Sequence, residues 1–164
     1  MITSSEWDLL REDQKNIILA NQQKFPIKVG AIAKSLGLVV KKATLTAGIS
    51  GQIKLTDGVC TIKVNRHDVK ARQRFTVAHE IAHFLLHHDK LADGITDDIL
   101  YRSALSDKLE AQANRLAADI IMPWALIKDS LANYSGLKIE KKIENIAEDA
   151  GVSTTAIKIR LGKI

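Results

Sequence analysis

The segment His79-Glu80-Ile81-Ala82-His83 narrows the folding options of this chain more than any other. It lies within an apolar run, with Phe75, Ala78, Ala82 and Leu86 on one helical face and Val77, Ile81 and Leu85 beside them. A helix apolar around so much of its circumference belongs in a core. Two histidines and a glutamate carried into that core need polar compensation, because burying them unpartnered is costly. Residues four apart on a helix point the same way, one turn up, so both imidazoles can reach one Zn²⁺ at ~2.0–2.1 Å. Glu80 is one step round the helix from His79, where it can take a proton from a zinc-polarised water without itself being a ligand.

Two ligands leave such a site incomplete, since catalytic zinc generally takes three from the protein and leaves a fourth position to water. His87 lies a further turn along, its Cα about 12 Å from that of His79 on a straight helix, too far to share the ion easily. It and His88 read as helix-end residues near the negative pole of the helix. The longer H-E-x-x-H-x-x-G-x-x-H pattern also fails, with Leu86 at the Gly position and Asp89 at the last His. The third ligand is therefore expected from a second helix. Glu110 is the best-placed carboxylate, on the mostly apolar stretch that carries Leu109, Ala113, Leu116 and Ala117. Asn114 shares its face and can orient a ligand. The bland reading of Glu110 is a solvent-facing first-turn acid, and Asp107 and Asp119 are alternative donors.

Around this pair of helices the pattern is mixed. Ser4 or Ser5 is expected to cap a first helix through Leu9, Leu10, Ile17 and Ile18, ended at the latest by Pro26. Ile27 to Leu36 follows as a second helix with Gly37 as its stop. Leu38 to Lys42 reads as a strand, and Ile49–Leu55 with Val59–Val64 as a hairpin across Thr56-Asp57-Gly58. Residues 89–103 read as a looser polar stretch. Ser106 or Asp107 starts the Glu110 helix, which runs to Met122, and Pro123 fits the first position of another ending near Gly136. Glu140–Ala150 and Thr154–Leu161 form a final helical pair, with Gly151 between them and Ser153 as N-cap.

Charge and composition exclude several classes. No stretch approaches the ~18–20 apolar residues a membrane-spanning helix needs. The start of the chain lacks the basic and apolar regions of a signal peptide, and Cys60 is the single cysteine, so the expected compartment is the cytoplasm. The net charge of +5 raises the question of an acidic partner or nucleic acid. That excess lies mainly in residues 1–66, with ten basic and five acidic side chains, which poorly describes a uniformly basic DNA binder.

The block Gln73 to His87, QRFTVAHEIAHFLLH, resembles the core of the ImmA/IrrE family of metallopeptidases. Glu110 to Pro123 is similar to that family's second block, E-x-x-A-N-x-F-A-A-x-x-L-M-P, and Tyr101-Arg102-Ser103 and Val152 to Leu161 are similar too. Departures are small: Ala82 stands for a frequent Gly, Gln112 for a frequent Glu and Leu116 for a frequent Phe. The resemblance implies a thermolysin-like zinc site of His79, His83 and Glu110 with Glu80 as base. It further implies cleavage of helix-turn-helix repressors that control mobile elements or stress responses. Tyr101, between the two blocks and bearing an O–H, is the candidate oxyanion partner.

The expected fold is α+β: a mostly helical zincin-like catalytic core, a small three-stranded antiparallel sheet and a helix-turn-helix-like C-terminal hairpin. Residues 1–164 are expected to form one domain, with scaffold in 1–66, zinc-site helices in 67–136 and the hairpin in 137–164. Lys158 and Arg160 give that hairpin the outline of a DNA reader. Packing on the catalytic helices is preferred, because Val152, Ala156, Ile157, Ile159 and Leu161 leave few side chains for base edges, and direct DNA contact is the alternative. The rival to an enzyme is a DNA- or repressor-binding regulator holding a structural zinc. Glu80 separates the two, since a closed structural site has no use for it.

Overall fold

Burial all round is what the apolar run from Phe75 demands, and the computed structural model, which describes residues 3–164, provides it. Helix α3 (Lys70–Leu86) has eight consecutive buried residues, Thr76 to His83. One side packs on a sheet and the other on α4 (Asp107–Ile121). The remaining helices are α1 (Glu12–Ala20), α2 (Val29–Ser35), α5 (Trp124–Asn133), α6 (Ile139–Ala150) and α7 (Thr154–Arg160).

The α+β class holds, but the sheet has four strands and is mixed. The strands β1 (Val39–Ala43), β2 (Ile49–Thr56), β3 (Val59–Asn65) and β4 (Ile95–Asp98) lie in the order β1-β3-β2-β4. The hairpin β2–β3 forms as expected, with Asp57 and Gly58 at φ of +52° and +77°, the paired positive φ values that a tight two-residue turn requires. β1 pairs parallel with β3, Val39 opposite Thr61, because the other edge of β2 is taken by β4. As an edge strand β1 carries Lys41 and Lys42, the charges that discourage further pairing. Ile53 and Ile62 turn inward toward α3, and both are fully buried, each stabilising the fold by about 1.5–3 kcal/mol.

The N-terminal expectation needs correction. Ser4 and Ser5 cap no α-helix; Trp7–Leu9 form a single 3₁₀ turn, and α1 begins after Arg11. Ser4 instead bonds the α4 residue Asp119 through its amide (3.0 Å) and hydroxyl (2.6 Å), and the buried Glu6 pairs with Arg115 at 2.6 Å. The C-terminal pair is tied to the same helices. Arg160 donates to the Met122 carbonyl (2.9 Å) and Asp119 (3.2 Å), and Arg74 donates to the Gly151 carbonyl (3.1 Å). Ser153 and Ser106 cap α7 and α4 by accepting from Ala156 N and Leu109 N. Pro123 occupies the N-cap of α5, one position earlier than expected. Among the described residues, no helix is long and apolar enough to cross a membrane.

Candidate metal centre

Helix α3 presents His79 and His83 one turn apart, their Nε2 atoms 3.1 Å from each other. α4 crosses the same face and delivers Glu110, whose Oε1 lies 2.8 Å from His83 Nε2 and 3.3 Å from His79 Nε2. The first-turn position of Glu110 thus faces inward, and its side chain is buried. Glu80 comes within 4.0 Å of His79 Nε2 and is fully buried. Its room is created by Gly51 on β2: a Cβ there would collide with Thr76 and approach Glu80 Cγ to 3.7 Å.

A fourth donor comes from a strand hidden in the polar stretch. Asp97 Oδ2 lies 3.4 Å from His79 Nε2 and 3.6 Å from His83 Nε2. Ile95 and Asp97 alternate inward on β4, and an irregularity in β2 between Ile49 and Gly51 sets the register that aims Asp97 at the histidines. One ligand atom from each of His79, His83, Asp97 and Glu110 lies within 4.8 Å of every other. Sequence reasoning missed this residue, since the adjacent Asp97 and Asp98 hide the strand and its inward face is set by pairing with β2.

Outer partners fix the imidazole protons. His79 Nδ1–H donates to Asn114 Oδ1 at 2.9 Å, so Nε2 is the nitrogen that would give up its proton and turn a lone pair to a metal in the cluster. His83 is served by a relay: its Nδ1–H donates to His87 Nδ1 (2.9 Å), and His87 Nε2–H donates to Gln112 Oε1 (3.1 Å). His87 is the C-cap of α3, a helix-end residue as expected, but it is also buried and tied into this relay, and it stands outside the four-donor group. Ser103 Oγ donates to Glu110 Oε2 at 2.9 Å. Asp119 is spent on Ser4 and Arg160, and Asp107 is exposed, so neither joins the cluster. Tyr101 packs its ring 5.0 Å from that of His79, but its hydroxyl donates to the Arg72 carbonyl (3.3 Å) and meets Thr76 Oγ1 (3.2 Å). That hydroxyl makes no hydrogen bond to the four donors.

The electrostatics call for a cation. Burial opposes charge on His79, yet the adjacent Asp97 and Glu110 carboxylates more than reverse this and raise its pKa to about 9. Burial, reinforced by Asp97 and Glu110, holds the Glu80 carboxyl well above its usual range. Burial pushes Glu110 in the same direction, but hydrogen bonding to His79 and His83 prevails and lowers it. Both oxygens of Glu80 and both of Asp97 are buried without a hydrogen-bond partner. Among the described residues no Lys or Arg pairs with Glu80, Asp97 or Glu110. Three carboxylates and two imidazoles whose Nε2 atoms face one point are a donor set that fits a divalent ion.

The cluster itself is buried, and a groove runs past the partners of His79 without being lined by any of the four donors. This apolar groove of about 690 Å³, walled by Phe75, Leu100, Trp124 and Ile159, extends to Tyr101 and Asn114, both of which touch His79.

A buried H-E-x-x-H helix packed against an acid-bearing helix is the architecture of a metallopeptidase-type centre. The chain matches the peptidase M78 family model, described as the IrrE N-terminal-like domain, over residues 33–162, and it belongs to that family. The match spans both helices of the centre and all of the sheet, and it indicates peptidase activity. No curated protein matches the chain.

Proposed function

We propose that the protein is a zinc-dependent endopeptidase whose substrate is a helix-turn-helix transcriptional repressor. The observation that carries this reading is Glu80: a fully buried carboxylate, unpartnered, 4.0 Å from His79 Nε2, on the one helix step where a general base is needed. His79, His83 and Glu110 would hold the metal, and their two-nitrogen, one-carboxylate composition suits zinc. Zinc bound there supplies Lewis acidity, polarising a carbonyl and acidifying a water. Glu80 takes the proton from the attacking water and returns it to the leaving amine nitrogen. Asn114, His87 and Gln112 keep both Nε2 lone pairs directed inward throughout.

The groove supports a protein substrate, since its apolar walls can receive side chains of an unfolded or helical segment beside the centre. The repressor substrate and a cytoplasmic site of action are parts of this proposal, and membership of the peptidase M78 family supports the peptidase chemistry they require. We read the chain as one domain, because Ser4 and the last helix both fasten to α4. The rival, a DNA-binding regulator with a structural zinc, is less well supported. Arg160, half of the basic pair on α7, is engaged by Asp119 and Met122.

The decisive comparison is wild type against Glu80→Gln, measuring bound zinc together with cleavage of a helix-turn-helix repressor encoded beside the protein. Retained zinc with cleavage reduced by ~10²-fold or more is expected. Undiminished cleavage in the variant would defeat the enzyme reading.

A further inference from the structure

Asp97 is the one acidic side chain of the cluster for which a three-ligand peptidase site has no role. It is fully buried, both of its oxygens lack hydrogen-bond partners, and nothing basic reaches it except the two histidine rings. A carboxylate held so close to two ligand nitrogens, and beside the carboxylate of Glu110, is not stabilised by hydrogen bonding. Its position is explained by a shared cation. The separations from Asp97 are close to those of a shared ion. Donors around a tetrahedral zinc at ~2.0–2.1 Å stand about 3.3–3.4 Å apart. Asp97 Oδ2 is 3.4 Å from His79 Nε2 and 3.6 Å from His83 Nε2, while the other three donors stand 3.3, 3.1 and 2.8 Å apart, somewhat closer than that spacing.

We propose that Asp97 is a fourth protein ligand, which closes the metal's coordination sphere in the resting protein and leaves it when substrate enters. This rests on the zinc-peptidase reading above and adds to it a masked resting state. The exchange is one oxygen donor for another, with no redox change: the Asp97 carboxylate departs as a water or a substrate carbonyl takes its place. Asp97 is suited to departure because of where it sits. β4 is a four-residue edge strand, and Asp97 is one residue from its end. The chain beyond it carries Ile99 and Leu100, 46% and 62% exposed, into the groove wall. That chain is held to α3 by the Arg72 guanidinium on the Ile99 carbonyl (3.1 Å) and by the Tyr101 hydroxyl. A segment pressing into the groove therefore bears directly on the strand that carries the fourth donor.

The test uses cobalt(II) in place of zinc, which reports coordination through its visible bands without any turnover. In the wild type, excess azide should leave the bands unmoved. In Asp97→Asn the resting bands should shift and azide should shift them again, and Asp97→Ala should lose at least ~10-fold in zinc affinity. X-ray absorption of the wild-type zinc protein should count two nitrogen and two carboxylate-oxygen ligands, which keeps the proposal testable should either variant fold poorly. Azide shifting the wild-type bands, variant and wild-type spectra that superimpose, or a bound water among the wild-type ligands would overturn it while leaving the peptidase reading intact. A wild type that binds neither metal would instead remove the reading on which it stands.

Discussion

The relay behind His83 makes a quantitative prediction about a residue that touches no metal. Replacing His87 by Leu removes the acceptor for His83 Nδ1–H while preserving most of the buried volume. Both rings are buried, His83 fully and His87 to 4% exposure, so water cannot readily replace the lost partner. With no metal bound, His83 can relax by carrying its proton on Nε2 and donating to Glu110 Oε1, 2.8 Å away. Metal binding forbids that tautomer, because it requires the Nε2 lone pair. The penalty of an unsatisfied buried N–H, ~1–3 kcal/mol, therefore falls on the metal-bound form. At about 1.4 kcal/mol per decade, zinc affinity should drop roughly 5- to 100-fold. The assay is competition for zinc against a chromogenic chelator at constant pH, paired with urea unfolding in excess chelator. His87→Gln, which retains a side-chain acceptor, should recover part of the loss. If the Leu variant holds zinc within about threefold of wild type, the relay does not fix the His83 tautomer and the reasoning fails.

Two further outcomes follow from the packing. Gly51→Ala should cost about 1–3 kcal/mol in chemical unfolding and reduce peptidase activity as well, since the added methyl forces Thr76 and the Glu80 stem away from β2. Glu6 gives a pH signature. Hydrogen bonding to Arg115 holds its carboxyl below the ordinary value against the opposing effect of burial. Its stabilisation is thus present above the unfolded-state pKa of about 4.3 and is lost as pH falls through the lower folded value. Glu6→Gln should lower stability at pH 7 by up to about 1 kcal/mol, because half-exposed Arg115 is screened by solvent, and should flatten the acid limb of the stability curve.

How much of this was legible depended on whether the signal was local. His79, Glu80 and His83 were readable because helical spacing alone puts them on one face, and Glu110 with Asn114 because an acid and an amide four apart stand out on an apolar helix. The Asp57-Gly58 turn, Ser106 and Ser153 were readable for the same reason: each needs only its neighbours. Asp97 was not. Two adjacent aspartates suppress the signature of a strand, and the register that turns Asp97 inward is set by the irregularity in β2, some 46 residues earlier in the sequence. β1 was placed as a strand but not in its parallel partnership, which depends on β4 occupying the far edge of β2. His87 read only as a helix end because its second partner, Gln112, becomes a neighbour only once α4 has docked. Ser4 looked like a cap because its carboxylate partner lies 115 residues away.

That last separation bears on the order in which the molecule is made. During synthesis at about 5–20 residues per second, the Ser4 amide and hydroxyl wait several seconds for Asp119 to follow, and Glu6 waits almost as long for Arg115. The donors at 79, 83, 97 and 110 are finished within that same interval, and α4 supplies both the last donor and the anchor for the first residues. A nascent chain short of α4 therefore has its H-E-x-x-H segment but neither its third carboxylate nor its N-terminal clasp. Capture of metal is coupled to the synthesis of α4, so a translation product truncated before that helix would carry the motif without the chemistry.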